Sequence, residues 1–517
     1  MYKKIIIILI SSLLYSTFCN AATYVSPMPS LNLVLDPVKA AEGFSFLVIN
    51  QMCDRLVTYD EKLNIVPQLA KKWSVSNDGL TYTFVLRENV YFHDGRSVKA
   101  TDVVWSLTRM LKRSSVKFHE LSYIKGAVEY HNNKVKTVTG IRAKDNVTIE
   151  IELTRPYPPV LSVLSAPGAE IFPKLKDEKS EMQFFKAPIC AGPYRLIKRT
   201  NNLIKLEAFN KYYEKADRTE FIEFRLLKRK DAIQCFIDKQ CHDLRWYFMA
   251  PDELSGDYKI EKSEVAHVNI IAFNAARYPF SDPNVRKAIT MAIDREKLRK
   301  LCYPDKRQAH GYIPTGLGGY DLHANEIQFD PVRAKKILEK IGLNKSVLRR
   351  KYTLIRMTNY MCQDNFKKFI ETSLGKIGLN VEVVHVPPDM FVNKYLYPRN
   401  YDMTNFTMTS DYSEAYFLLN YFRSNYPSNY TGLKDEKIDN MLDESTKVDN
   451  RYERYKIYRN IQNRLLELAP IINMYHDIWV TYYQGNIVDY QNTSLSIYNT
   501  LIRNVRFIGS EDRNLLK

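Results

Sequence analysis

The chain has 517 residues, 45% hydrophobic and 26% charged, with only 18 Gly and 22 Pro. That composition is globular and excludes a disordered, collagen-like or linker-dominated chain. A single hydrophobic core rarely grows past about 250–300 residues, so roughly three structural units are expected. The formal charge of +17 would suit nucleic acid, a membrane surface or an acidic ligand. Basic residues nevertheless come only as pairs and triplets such as Lys228-Arg229-Lys230, which reads as a Lys-rich bias spread over a solvated surface.

At the amino terminus Lys3 and Lys4 precede the apolar run Ile5–Leu14, broken only by Ser11 and Ser12, and Cys19-Asn20-Ala21 supplies small residues for a cleavage site. Residues 1–21 are thus expected to be a secretory signal peptide, cut near Ala21 or Ala22. The run is shorter than a bilayer span of about 20 residues, and no later stretch approaches that length, so a soluble periplasmic protein is expected. Phe18 argues against lipid attachment at Cys19. An exported protein does not meet nucleic acid in its normal work. Six cysteines remain after cleavage: Cys53, Cys190, Cys235, Cys241, Cys302 and Cys362. An oxidising compartment permits disulfides, but spacing does not fix the pairing. Cys235 and Cys241 are close enough to pair, and buried free thiols stay equally open. The absence of C-x-x-C argues against a redox role.

In chain order, Thr81–Leu86 alternates with Tyr82, Phe84 and Leu86 on one face, and Val147–Leu153 alternates valine, isoleucine and leucine with threonine and glutamate. Ile222, Phe224 and Leu226 do the same against Glu223 and Arg225, and all three segments are expected to be half-buried strands. Asp282-Pro283 then opens a helix whose face is Val285, Ala288, Ile289, Ala292 and Ile293. Asp330-Pro331 opens another, with Ala334, Ile337, Leu338 and Ile341, stopped by Gly342. Phe366, Phe369, Ile370, Leu374 and Ile377 form a third helical face stopped by Gly378, and Leu379–Val386 reads as a strand. Residues 435–468 predict two helices closed by Ala469-Pro470. The whole is a mixed α/β chain without internal repeats.

Catalytic signatures are missing. There is no G-x-S-x-G, no H-E-x-x-H and no complete P-loop. Gly311–Gly316 has P-loop glycine spacing but lacks the Lys and Ser/Thr that hold phosphate and metal, so Gly316, Gly318 and Gly319 are read as turn residues. The 9 histidines are scattered. Asp435 and Glu436 stand at a helix start, where they complement its dipole. No metal, cofactor or catalytic activity is expected.

Several blocks then follow one another in order: Cys53-Asp54-Arg55-Leu56-Val57-Thr58-Tyr59-Asp60, Val66-Pro67-Gln68-Leu69-Ala70-Lys71-Lys72-Trp73, Asp78-Gly79-Leu80-Thr81-Tyr82-Thr83-Phe84, Phe92-His93-Asp94-Gly95 and Ala100-Thr101-Asp102-Val103-Val104. Ala191-Gly192-Pro193-Tyr194, Ala272-Phe273-Asn274, Pro283-Asn284-Val285-Arg286-Lys287-Ala288 and Leu468-Ala469-Pro470-Ile471-Ile472 continue the series. This succession resembles the extracellular solute-binding proteins of the dipeptide/oligopeptide class, family 5, the capture subunits of ABC importers. The resemblance implies an α/β periplasmic-binding-protein fold with two lobes joined by a hinge and an additional inserted domain. It implies lobe I at 22–57, 165–268 and 480–517, the inserted domain at 58–164, and lobe II at 269–479. It further implies a monomer that closes over a small peptide and delivers it to an inner-membrane ABC permease. One departure is Cys190-Ala191-Gly192-Pro193-Tyr194, where the family usually has Gly-Thr-Gly-Pro-Tyr.

Peptide-binding members anchor the ligand's ammonium on an aspartate, and Asp411, in Thr407–Asn420, falls at that place. The block departs from the family pattern at Phe406 and at Ser413-Glu414-Ala415. Arg356, at the end of the strand-like Tyr352–Ile355, is a candidate by position for a ligand carboxylate. Trp246 and Tyr247 are candidate pocket aromatics, which bury area while keeping a polar handle. Within the binding class the alternatives are a nickel chelate, haem, an oligosaccharide or an antimicrobial peptide; outside it, an exported hydrolase.

Overall fold

The structure, a computed structural model, describes residues 22–508 except 41, 114, 116, 117, 248–253, 325, 344, 345, 348, 349, 359 and 496–499. The expected signal peptide lies outside the described residues.

Strand β1 (Thr23–Met28) starts the described chain. The hairpin β2 (Val57–Tyr59) and β3 (Ile65–Pro67) leads into β4 (Ala70–Val75), β5 (Thr81–Leu86), β6 (Ile141–Ala143) and β7 (Thr148–Glu152), an antiparallel sheet ordered β4-β5-β7-β6. The chain then returns to its start: β8 (Tyr194–Arg199), β9 (Leu203–Ala208) and β10 (Phe221–Leu226) form a sheet ordered β1-β10-β9-β8, with β10 parallel to β1. The largest sheet takes β11 (Asp243–Leu244), β12 (Tyr258–Phe273), β13 (Arg307–Gln308), β14 (Lys351–Met357), β15 (Asn380–Val386), β16 (Met403–Thr409) and β17 (Ile471–Gln484). Its order is β11-β17-β12-β16-β14-β15, with β13 also on β17.

The local signals of the sequence are realised for identifiable reasons. In β5, Tyr82, Phe84 and Leu86 are buried, and in β7 Ile149 and Ile151 are, because a period of two turns one set of side chains to the core. In β10 the alternation fails at its end. Leu226 is exposed while Glu223 is buried, the carboxylate lying 3.1 Å from Lys205 and 2.6 Å from Arg225, which supply the counter-charges burial requires. The helices start as their caps dictate: Asp282 accepts from Asn284 N before Pro283–Ala292, Asp330 from Arg333 N before Pro331–Ile341, and Asp435 from Ile438 N before Glu436–Ser445. The helix Gln363–Gly375 buries Phe366, Ile370 and Leu374.

Two long strands run side by side through the large sheet. β12 has 16 residues and β17 has 14, paired antiparallel. Their register breaks between Glu264 and Val268. At the break, Ala266 turns its backbone aside: its N–H bonds Leu495 O at 3.3 Å, and its carbonyl accepts from Ser410 N at 3.0 Å.

The block Cys53-Asp54-Arg55 is a set of buried anchors. Asp54 accepts from Arg503 (2.6 Å), Gln68 (2.8 Å), Tyr212 (2.8 Å) and Tyr213 (2.9 Å), and Arg55 pairs with Glu170 at 2.9 Å. Charges this deep persist only when paired. The departing block at Cys190 is explained in the same region. Cys190 is bonded to Cys53, its N–H donates to His93 Nδ1, and His93 Nε2–H donates to Gly192 O at 3.1 Å. A Cβ at Gly192 would stand 2.2 Å from Met52 O, so only glycine fits there. The other pairs are Cys235–Cys241 and Cys302–Cys362, so all six cysteines among the described residues are joined.

Candidate functional site

The β16 strand delivers its following loop, Ser410–Glu414, to the segments that carry Tyr59 and Ser162. Ser413 N–H donates to Tyr59 OH at 3.4 Å, Tyr59 donates to Ser162 O at 2.8 Å, and the hydroxyls of Ser162 and Ser413 are 3.3 Å apart. Burial pushes the Tyr59 phenol up to about 12. The far end of the loop is pinned by Glu414, which accepts from Arg454 Nη2 at 2.6 Å and from Tyr458 OH at 2.8 Å, all three side chains being buried. A buried, bidentate-capable pair of this kind fixes the direction in which the loop projects.

Asp411 stands on this loop, half-buried. Tyr412, next to it, is buried. Burial raises the Tyr412 phenol well above its ordinary value, and the charges of Glu120 and Asp411 raise it further. The Tyr421 phenol is also raised, first by burial and then by Tyr426, Tyr430, Asp411 and Glu120. Asp411 therefore sits within electrostatic reach of Tyr412 and Tyr421, and Glu120, from a segment remote in the chain, acts on both of these phenols and on Tyr426.

Arg356 is fully buried. Its Nη2 donates to Tyr303 OH at 2.6 Å and Met361 O at 2.8 Å, its Nε to Asn405 Oδ1 at 3.1 Å, and its guanidinium lies 4.3 Å over the Phe366 ring. Arg356 and Asn405 are register partners between β14 and β16, so Arg356 and the Asp411 loop belong to one end of one sheet. Trp246 and Tyr247 are elsewhere, just past β11. Trp246 packs between Phe44 (4.5 Å) and Trp479 (6.0 Å), with its Nε1 buried and without an acceptor. Tyr247 donates to Leu227 O at 2.8 Å and packs with Val25, Ala232 and Phe236. Its phenol is raised by burial.

Sequence reasoning did not assign Tyr59, Ser162 or Glu120 to the site, because each reaches it from a segment remote in the chain, and it named Ser413 only as a departure from the family pattern. The signal that was available is the recurrence of Tyr412, Tyr416, Tyr421, Tyr426 and Tyr430 after Asp411. A cavity of about 1070 Å³ lies between His93–Gly95 and Phe209–Glu220. It is lined by charges of both signs and contains none of Asp411, Arg356, Trp246 or Tyr247. Among the described residues no helix is long and apolar enough to cross a membrane.

The family model for bacterial extracellular solute-binding proteins, family 5, middle, matches residues 64–430. The chain belongs to that family of solute-binding proteins. Dipeptide-binding protein DppE of Bacillus subtilis is 26% identical over 85% of this chain and 84% of its own length. The dipeptide-binding protein of Escherichia coli is 24% identical over 80% of this chain and 81% of its own. Among solved structures, the periplasmic binding protein DppA of Helicobacter pylori in complex with the peptide STSA superposes with a TM-score of 0.78, at 20% identity, over 94% of this chain and 98% of that one. The fold is that of the periplasmic binding proteins, mixed α/β as the sequence led us to expect.

Proposed function

We propose that this chain is the periplasmic capture subunit of an ABC importer, that its ligand is a short peptide, and that Asp411 holds the peptide's terminal ammonium. The observation that carries the reading is the placement of Asp411. It lies on a loop pinned at one end by Glu414–Arg454–Tyr458 and bonded through Ser413 to the unit on the other side. A partly desolvated carboxylate held so firmly suits a fixed ammonium, since charge-assisted hydrogen bonds are the strong kind. An extended peptide would add strand-like backbone hydrogen bonds to that anchor. The relatives named for dipeptide binding match over most of both lengths, which supports the same ligand class.

The two lobes close by bending where β12 and β17 lose register. The lobe boundaries expected at 268/269 and 479/480 fall inside these two strands, and the break at Glu264–Val268 is the natural hinge. Arg356, with its donors engaged by its own lobe, braces the wall near the ligand's far end. Trp246 and Tyr247 belong to the lobe I wall. The chain acts as a monomer that presents its loaded form to an inner-membrane permease, and it catalyses no reaction. The reading is tested by titrating the mature protein with a peptide library and analysing ligands that co-purify without denaturation. Co-purified short peptides are expected; a co-purified chelate, haem or sugar with no peptide binding would contradict it.

A further inference from the structure

A cavity of about 240 Å³ lies where the 58–164 unit meets the stretch that follows Asp411. Its walls include the rings of Tyr123, Tyr157, Tyr416, Phe417 and Tyr426, and Glu120 opens into it. Glu120 Oε2 is buried and receives no hydrogen bond. A carboxylate oxygen taken out of water with no donor is costly, and aromatic faces around it favour a cation. The nearby arginines are engaged elsewhere. Arg423 gives its Nε to Asn420 at 2.8 Å and its Nη2 to Asp443 at 3.0 Å. Arg155 lies 4.0 Å over the Tyr123 ring and 3.5 Å from Asp443. His119 is at the exposed rim. The cavity is continuous in chemistry with the anchor: the ring of Tyr412, beside Asp411, lies 3.9 Å from that of Phe417, tilted by 32°, and Phe417 lines the cavity; the charges of Glu120 and Asp411 both act on the Tyr412 phenol.

We infer that this cavity is a subsite for a cationic side chain at the amino-terminal end of the ligand, with Glu120 Oε2 accepting from its ammonium or guanidinium. The chain then selects peptides that carry Lys or Arg beside their free amine. The aromatic walls hold the aliphatic stem of such a side chain and face its charge, and the carboxylate gains the donor it lacks. This inference rests on the peptide reading above and adds a preference to it.

The test is calorimetry on the full mature chain with three tripeptides differing only in the first residue: Lys-Ala-Ala, norleucine-Ala-Ala and Glu-Ala-Ala. Norleucine keeps the stem and removes the charge. The lysine peptide is expected to bind about 10- to 100-fold more tightly than the norleucine peptide, the range for a charge-assisted hydrogen bond, and the glutamate peptide most weakly. Glu120→Gln should bring the lysine/norleucine ratio close to one. Equal affinities in the wild type, or a ratio that survives in Glu120→Gln, would overturn the subsite while leaving peptide binding intact. Failure of all three peptides to bind would instead overturn the peptide reading, and the subsite with it. The wild-type comparison needs no variant, so a Glu120→Gln protein that does not fold leaves the test standing.

Discussion

Replacing Arg454 by methionine should unpin the Ser410–Glu414 loop. Arg454 and Glu414 have side chains only 7% and 9% exposed. The arginine donates to Glu414 Oε1 at 2.6 Å and also to the carbonyls of Val448 (2.9 Å) and Asp449 (2.6 Å). Methionine fills much of the space but leaves Glu414 as a buried charge held only by Tyr458. Removing one partner of such a pair costs about 3–5 kcal/mol. Tyr458→Phe, which removes one hydroxyl donor to the same carboxylate, should cost about 1–3 kcal/mol. Glu414→Gln added to Arg454→Met should recover part of the loss, because the uncompensated charge is then gone. The two costs are not additive, since all three groups share one network. Urea unfolding of each variant gives the stability changes, and calorimetry with an amine-terminated peptide should show that Arg454→Met also weakens binding, because Glu414 and Asp411 are on one loop. An Arg454→Met protein with the wild-type unfolding profile and wild-type affinity would refute the claim that this pair fixes the loop.

Three further outcomes are expected. Breaking Cys53–Cys190, with a sequence separation of 137, should destabilise far more than breaking Cys235–Cys241, with a separation of 6, about 5 against about 2 kcal/mol from loop-closure entropy; paired Cys→Ala variants compared by urea unfolding check the ranking. Burial holds His93 neutral and lowers its pKa to about 4, so the unfolded chain binds this proton more readily than the folded one. Its contribution is then present above about pH 6.5 and is lost as pH falls towards 4, up to about 3 kcal/mol. His93→Gln should flatten that part of the stability–pH curve, measured by thermal melts. Saturation with a bound peptide at about 100 times its dissociation constant should add roughly 2.7 kcal/mol to unfolding and reduce the radius of gyration in small-angle scattering; tight binding with an unchanged scattering profile would argue against lobe closure.

Much of the local architecture was legible because it depends on nearest neighbours in sequence. The alternation in β5 and β7, the Asp–Pro helix starts at Asp282 and Asp330, and the stop at Gly342, whose φ is 71°, are set within a few residues. Leu226 and Glu223 broke the pattern because Lys205 and Arg225 neutralise a carboxylate at a position where periodicity alone asks for a polar exposed residue. The cysteine pairing was not legible, since Cys53 and Cys190 meet only through the return of the chain to its first sheet. Within the candidate site, Asp411 is assigned through its block. Glu120 and Ser162 were invisible for the opposite reason: nothing in their own segments marks them, and Tyr59, though within a family block, carries no local sign of a site role; only the packing of these segments against the loop after β16 brings them to it. The full engagement of Arg356 likewise depends on Tyr303, Met361 and Asn405, contributed by separate segments.

The central claim, that Asp411 holds a peptide's amino terminus, is tested most directly by calorimetry with one peptide in free and N-acetylated forms, on wild type and Asp411→Asn. Losing one side of a buried charged hydrogen bond costs about 2–5 kcal/mol, or roughly 30- to several-thousand-fold in affinity. Acetylation should produce a loss of that size in the wild type and little further loss in Asp411→Asn, because both changes remove the same interaction. Equal binding of the free and acetylated peptides by the wild type would contradict the assignment.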